Sequence, residues 1–189
     1  LGDVYKRQVE NPSEMLLSGR PADAPGTCVT CVMEGARPVL AEIQALLASS
    51  SYPTPRRTSN GFDYNRAAML LAVLEKRAGY FFSNLDAYIN VVGGLRLDEP
   101  AADLPVALSL VSGLKDTPVG EGILAFGEVG LAGEVRSVSN AEARVGEAAR
   151  LGFTKVILPY HNLKSLQKRG DIELVGVRTV RDAYEALKP

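Results

Sequence analysis

Pro105 lies inside a mostly apolar run, Leu104 to Val111, that has the length and spacing of a buried helix. Proline has no backbone donor and clashes with the preceding turn, so a helix tolerates it only in its first turn. The helix is therefore expected to start with Asp103 as its N-cap and to bury Leu104, Ala107, Leu108 and Val111. Ala101 and Ala102 then sit just ahead of its electropositive end, where an enzyme would place a nucleophile and oxyanion donors. Small residues packed at the start of a capped core helix explain the same pattern. Downstream, Gly127-Glu128-Val129-Gly130-Leu131-Ala132-Gly133 has the spacing of a phosphate loop. It lacks the lysine and Ser/Thr of that loop and leads into a strand, so its glycines read as turn residues.

The surrounding pattern is mixed. Cys28–Met33 and Val39–Leu47 are rich in strand formers and flank a Glu34-Gly35 turn, a hairpin. Asp63 caps a helix to about Arg77, with Ala67, Leu70, Leu71, Leu74 and Ala78 on one face and Gly79 at its end. Asp86–Val92 and Ile123–Glu128 read as strands, and Leu131–Val135 is expected to pair back on the second. A helix over Asn140–Leu151 with an asparagine cap, a strand at Val156–Leu158, a helical turn from Asn162, a strand at Ile172–Val177 and a helix at Val180–Leu187 complete the order. Strands come first and then alternate with helices, which favours an α+β fold over a doubly wound sheet.

Length and composition exclude some classes. The 189 residues suit one domain, with 21 basic and 22 acidic side chains and a net charge of −1. Contact with nucleic acid would need a local basic patch. No apolar run approaches the roughly 20 residues of a membrane span, and the first residues lack the apolar core of a signal peptide. Residues 1–8 fit poorly with the rest of the chain and read as a truncated or non-native end. Residues 9–26 read as an extended lead-in, and 27–189 as the folded domain. Cys28 and Cys31 form a CxxC without a second cysteine pair, and His161 is the one histidine. Zinc normally takes four ligands. Three positions along a strand put the two thiols on opposite faces, so both read as buried strand cysteines. Free thiols without a disulfide framework suit a reducing cytoplasm.

Two segments resemble the active-site frame of Lon-type proteases: Leu97-Asp98-Glu99-Pro100-Ala101-Ala102-Asp103-Leu104, and Gly127 through Val135. Lon peptidases carry a serine just after the proline of the first and a lysine nine residues past the last glycine of the second. Those places hold Ala101 and Glu142 here. A methyl group cannot attack a carbonyl, and a glutamate cannot act as the neutral amine that takes the serine proton. Ser109 and Ser112 lie two or more turns along the helix, about 12 Å or more from Ala101, and cannot replace the nucleophile.

A closer resemblance is carried by many short strings in order. These are Asn11-Pro12-Ser13-Glu14-Met15-Leu16, Glu34-Gly35-Ala36-Arg37-Pro38, Glu42-Ile43-Gln44-Ala45-Leu46, Pro55-Arg56-Arg57, Asn65-Arg66, Leu71 to Gly79, Asn90-Val91-Val92-Gly93-Gly94, Asp98 to Asp103 and Gly127 to Arg136. Together they resemble the C-terminal domain of the bacterial DNA repair proteins of the RadA (Sms) family, from about Val9 to Leu187. Pro105, Ser137 and Asn140 depart from the family pattern. The resemblance implies a Lon protease-like domain of the ribosomal-protein-S5-domain-2-like type. It also implies a parent with a four-cysteine zinc element and a RecA-like ATPase core, acting as a hexameric, ATP-driven motor on recombination branches. ATP, Mg and Zn would belong to those other domains, and this chain would need no cofactor. It contains no Walker A loop and no Lys-Asn-Arg-Phe-Gly motif.

On that footing the chain is expected to be a scaffold without its own catalysis, supporting a ring and contacting single-stranded or branched DNA. Arg56 and Arg57, in a proline-bounded loop, are the first candidates for phosphate contact, and Arg66, Arg77 and Arg136 could extend the patch. Solvated surface or ion pairs with Glu14, Glu34 or Glu128 explain the same arginines. Met15-Leu16-Leu17 and Tyr80-Phe81-Phe82 are candidate interface clusters, with core burial the alternative for the second. The rival readings are a peptidase with another nucleophile and an adaptor that holds a protein segment in the dead cleft.

Overall fold

A computed structural model describes residues 12–167 and 170–188; residues 1–8, expected to be a truncated end, lie outside them. The hairpin forms as its sequence demands. Strand β1 (Thr27–Glu34) pairs antiparallel with β2 (Arg37–Ser49), with Cys31 opposite Leu40 and Val29 opposite Glu42. The long β2 also pairs antiparallel with β4 (Leu85–Val91), which takes β3 (Arg57–Asn60) as a parallel edge. On the other side of β1, the strands β5 (Ile123–Ala125), β8 (Lys155–Pro159) and β9 (Glu173–Val177) run parallel to one another. The sheet order is β3-β4-β2-β1-β5-β8-β9. An antiparallel hairpin spliced to parallel crossover strands is the mixed α+β arrangement that the element order implies.

Side chains that alternate along each strand feed two cores. On one face, α2 (Tyr64–Ala78), α3 (Asp103–Lys115) and α5 (Val180–Glu185) pack over Cys28, Val32, Val39, Ala41 and Ile43. On the other, α4 (Ala141–Arg150) covers Val29, Cys31, Leu40, Leu124 and Phe126. The two cysteines thus fall in different cores, three positions apart on one strand. Burial pushes both thiols up to about 12, which keeps them protonated and unreactive near neutral pH.

Helix α3 is buried at every position from Asp103 to Ser112, so it is a central element with no solvent face. Pro105 occupies its first turn, as steric logic requires. Ser109 donates to the Pro105 carbonyl at 2.8 Å, and Ser112 accepts from the Gly26 amide at 2.9 Å and donates to the Thr117 carbonyl. Both hydroxyls are spent inside the core.

Four local expectations need correction. Residues 9–26 are not extended throughout, because Pro12–Leu17 forms a short helix, α1, whose Ser13 hydroxyl accepts the Leu40 amide. Asp103 is not the N-cap of α3. It is the first helical residue, preceded by a 3-10 turn over Pro100–Ala102, and Ala102 takes the cap position with no side-chain bond. A capping carboxylate would have to point back at the helix amides, and this one is drawn aside into an ion pair. The strand predicted over Ile123–Glu128 stops at Ala125, and Glu128–Val129 (β6) pairs with Val135–Arg136 (β7) in a separate two-stranded hairpin. Asn140 precedes α4 but caps nothing with its side chain, and its backbone is left-handed at φ 58°.

Candidate functional site: a sealed corner and an open flank

The two Lon-like segments meet. The Gly127 amide donates to the Ala101 carbonyl at 2.9 Å, and the Leu104 amide donates to the Gly127 carbonyl at 3.0 Å. Only glycine fits at 127, since a Cβ there would lie 2.9 Å from Val135 and 3.3 Å from both Leu104 and Pro159. Gly133, at φ 81°, turns the β6–β7 hairpin, and a Cβ there would lie 3.1 Å from the Arg77 side chain. The glycines of this segment therefore serve close packing and a turn, as its lead into a strand suggests.

Ala101 occupies the nucleophile position as a methyl group only 2% exposed, packed in the same core as Ala141 and Val145 of α4. Glu142 lies exposed on the first turn of α4 and lines a cavity of about 570 Å³ with Asn140, Asn162 and Ser165. Ala101 is not among the residues lining that cavity. A serine at 101 would be sealed in apolar surroundings, and the group at 142 looks outward.

Two buried arginine–carboxylate clamps hold this corner. The Asp103 carboxylate is 0% exposed, accepts two bonds from the Arg66 guanidinium and a third from the Val129 amide at 3.0 Å. It ties α2 and the β6–β7 hairpin to the start of α3. Burial pushes this carboxyl above its ordinary value, with Arg66 and the Val129 amide pulling against it. The hydrogen bond to Asp103 in turn raises the Arg66 guanidinium, which stays charged. In the second clamp, Arg144 on α4 is only 1% exposed. Its guanidinium donates to Glu99, to the Cys31 carbonyl at 2.7 Å and to the Ser139 carbonyl at 3.0 Å, and lies beside the Phe126 ring. The second carboxylate oxygen of Glu99 accepts the Met33 amide at 3.3 Å. A buried charge that is paired and hydrogen-bonded in this way can remain inside a protein where a lone one cannot.

Sequence reasoning missed both clamps. Arg144 was visible in principle, since Ala141, Arg144, Val145 and Ala148 are spaced as one buried helix face. Its carboxylate partner lies 45 residues upstream, which no local pattern reveals.

The five candidate arginines separate. Arg66 is consumed by Asp103. Arg57, half-buried at the start of β3, donates to the carbonyls of Leu85 and Phe82 and so closes the loop before β4. Arg56 is exposed and stacked 3.9 Å over the Tyr52 ring, while its backbone amide holds the Asp86 carboxyl below its ordinary value. Arg77 is exposed at the end of α2 and reaches the Leu131 carbonyl at the hairpin tip at 3.4 Å. Arg136 is exposed and paired with Glu134 at 3.0 Å. Arg77 thus meets the tip of the hairpin and Arg136 lies on its β7 strand, whereas Arg56 belongs to the β3 edge. Of the apolar clusters, Tyr80 and Phe82 are buried, whereas Phe81 is 69% and Met15 60% exposed. His161 is exposed in the 3-10 turn Tyr160–Ser165, edge-on to Tyr160.

Comparison with known proteins fixes the kinship of this frame. A sequence model of the family described as "Subunit ChlI of Mg-chelatase" matches residues 63–162, from the cap of α2 to the turn after β8. The DNA repair protein RadA of Bacillus subtilis is 49% identical over 176 residues, 93% of this chain and 38% of the relative. The chain belongs to the ChlI-type family that this model describes, as a RadA-type Lon-like domain. RadA of Halalkalibacterium halodurans is likewise 49% identical, over 94% of this chain and 39% of its own. RadA of Streptococcus pneumoniae is 44% identical over 94% of this chain and 42% of its own. The chain spans about two-fifths of the length of the curated relatives it matches. Among the described residues no helix of this RadA-type domain is long and apolar enough to cross a membrane, and no cluster of three or more metal-ligating side chains occurs.

Proposed function

We propose that this domain is a non-catalytic scaffold within a RadA-type, ATP-driven DNA repair and recombination motor of the bacterial cytoplasm. It would support a hexameric ring and offer DNA a local basic contact, with ATP, Mg and Zn handled by other domains of the parent. The observation that carries this reading is the sealed corner. The nucleophile position is a buried methyl, and the space around it is braced by Glu99–Arg144 and Asp103–Arg66. Such a site is organised for shape. The relatives, named as DNA repair proteins, supply the setting.

The geometry refines the proposed DNA contact. Of the five candidate arginines, Arg57 and Arg66 already serve the fold, which leaves Arg56, Arg77 and Arg136 for a phosphate. Replacing Arg56 and Arg77 together by alanine should weaken DNA binding and lower the dependence of log affinity on log salt by roughly two phosphates' worth. Unchanged affinity and slope would reject this patch. Binding of unfolded peptides without binding of DNA would favour the adaptor reading. Ring support predicts that light scattering finds self-association of the chain as concentration rises.

A further inference from the structure

The flank of the β6–β7 hairpin holds a pocket that the scaffold role does not use. It has a volume of about 450 Å³ and is lined by Glu134, Val135, Arg136, Ser137, His161 and Arg178. Three elements converge there. The Val135 amide donates to the Arg178 carbonyl at 2.8 Å, and Glu134 bridges Thr179, which lays β7 beside the segment between β9 and α5. His161 comes from the 3-10 turn after β8. The guanidinium carbon of Arg178 lies over the Tyr160 ring, 3.9 Å from its centroid, and the imidazole of His161 makes a T-shaped contact with the same ring. Stacking fixes a guanidinium by its face and leaves its in-plane N–H donors for an acceptor. Among the described residues Arg178 has no carboxylate within ion-pair distance, in contrast to Arg136 and Arg66.

The acid in the pocket is already committed. Glu134 accepts the Ala132 amide with one oxygen and Arg136 with the other. Burial opposes its ionisation, but these donors hold its carboxyl below the ordinary value. The ligand-facing groups are then Arg178, the remaining edge of Arg136, an imidazole and the Ser137 hydroxyl, a set of donors with net positive charge. Donors that line one pocket suit concentrated negative charge, and the volume of about 450 Å³ suits a phosphate with its attached sugar.

We propose that this pocket binds a phosphate monoester, the group shared by the 5′ end of a nucleic acid strand and by a free nucleotide. A monoester carries about −1.5 to −2 charges near neutral pH, against one for a backbone diester. The inference goes beyond the scaffold reading and does not need it.

The test uses the 189-residue chain in calorimetric titrations with two matched pairs. One pair is thymidine 5′-monophosphate and thymidine; the other is a short single strand with a 5′-phosphate and the same strand with a 5′-hydroxyl. In at least one pair the phosphorylated member should bind about ten-fold tighter, the scale of a charge-assisted hydrogen-bond pair. Arg178→Ala should abolish that difference and His161→Ala should reduce it. Arg150→Ala, exposed at the end of α4 beside the residues that precede β8, should leave it intact, and thermal melts check that all variants fold. A difference only in the strand pair assigns the pocket to DNA ends, and a difference only in the nucleoside pair assigns it to free nucleotides. Equal affinities within both pairs, or a difference that survives Arg178→Ala, would overturn the proposal.

Discussion

The corner at Ala101 and the flank at Arg136 lie on either side of one hairpin, and both are built from arginines and carboxylates. At the corner, Arg144 and Asp103 are almost wholly buried and every contact they make is inside the chain. On the flank, the Arg136 side chain is 65% exposed and its pair with Glu134 links residues two apart. The same chemistry does different work in the two places. A charge removed from water is costly unless paired, so the corner pairs lock segments far apart in sequence into one arrangement. A charge left in water holds little together and stays available to a ligand.

The largest break in this contrast should come from Arg144→Ala. It strands the Cys31 and Ser139 carbonyls and leaves Glu99 without its cation, and should cost about 3–5 kcal/mol, read from the denaturant midpoint. Arg66→Ala removes two charged hydrogen bonds from a buried carboxylate that keeps the Val129 amide. About 2–3 kcal/mol is expected, discounted because Arg66 is partly solvated. Ala101→Ser places a hydroxyl in an apolar core and should cost about 1–2 kcal/mol. Glu134→Ala on the flank should change stability by no more than about 0.5 kcal/mol. A flank substitution as costly as a corner one would dissolve the comparison.

A smaller effect tests a buried acid outside both pairs. Glu42 on β2 is buried, and among the described residues its Oε1 has no hydrogen-bond partner. Burial pushes its carboxyl up, while Arg20 and Gln44 pull it down. A raised value in the folded state means that its contribution to stability is present in acid and is lost as pH rises through that value. Glu42→Gln should therefore raise the melting temperature near neutral pH and leave it unchanged below the ordinary glutamate range. A gain of equal size at both would show that charge is not the cause.

Much of the fold was legible because its signals are local. The apolar spacing from Ala67 to Ala78, the Asp63 cap and Gly79 place α2 to within a residue or so. The CxxC at 28–31 reads correctly as a strand whose thiols face opposite ways, since a period of two admits nothing else. Errors arose where tertiary partners intervened. Asp103 looks like a cap from its neighbours, yet Arg66, 37 residues away, claims its carboxylate. The strand predicted through Glu128 breaks because Gly127 is bonded to Ala101 and Leu104 across the corner. Of the candidate site, the two segments that meet at Ala101 and Gly127 were visible as motifs. Its bracing by Arg144, and the gathering of Arg178 and His161 beside Arg136, depend on contacts made only in three dimensions.

On the proposed scaffold role, the corner carries no peptidase chemistry. The most direct test is hydrolysis of an unfolded protein by the unmodified chain, by Ala101→Ser and by Ala101→Ser with Glu142→Lys, followed by the appearance of new amino termini. No turnover is expected from the unmodified chain or Ala101→Ser, and none from the double variant, because residue 101 is buried in a core shared with α4 and residue 142 is exposed. Turnover by the unmodified chain would contradict that role outright.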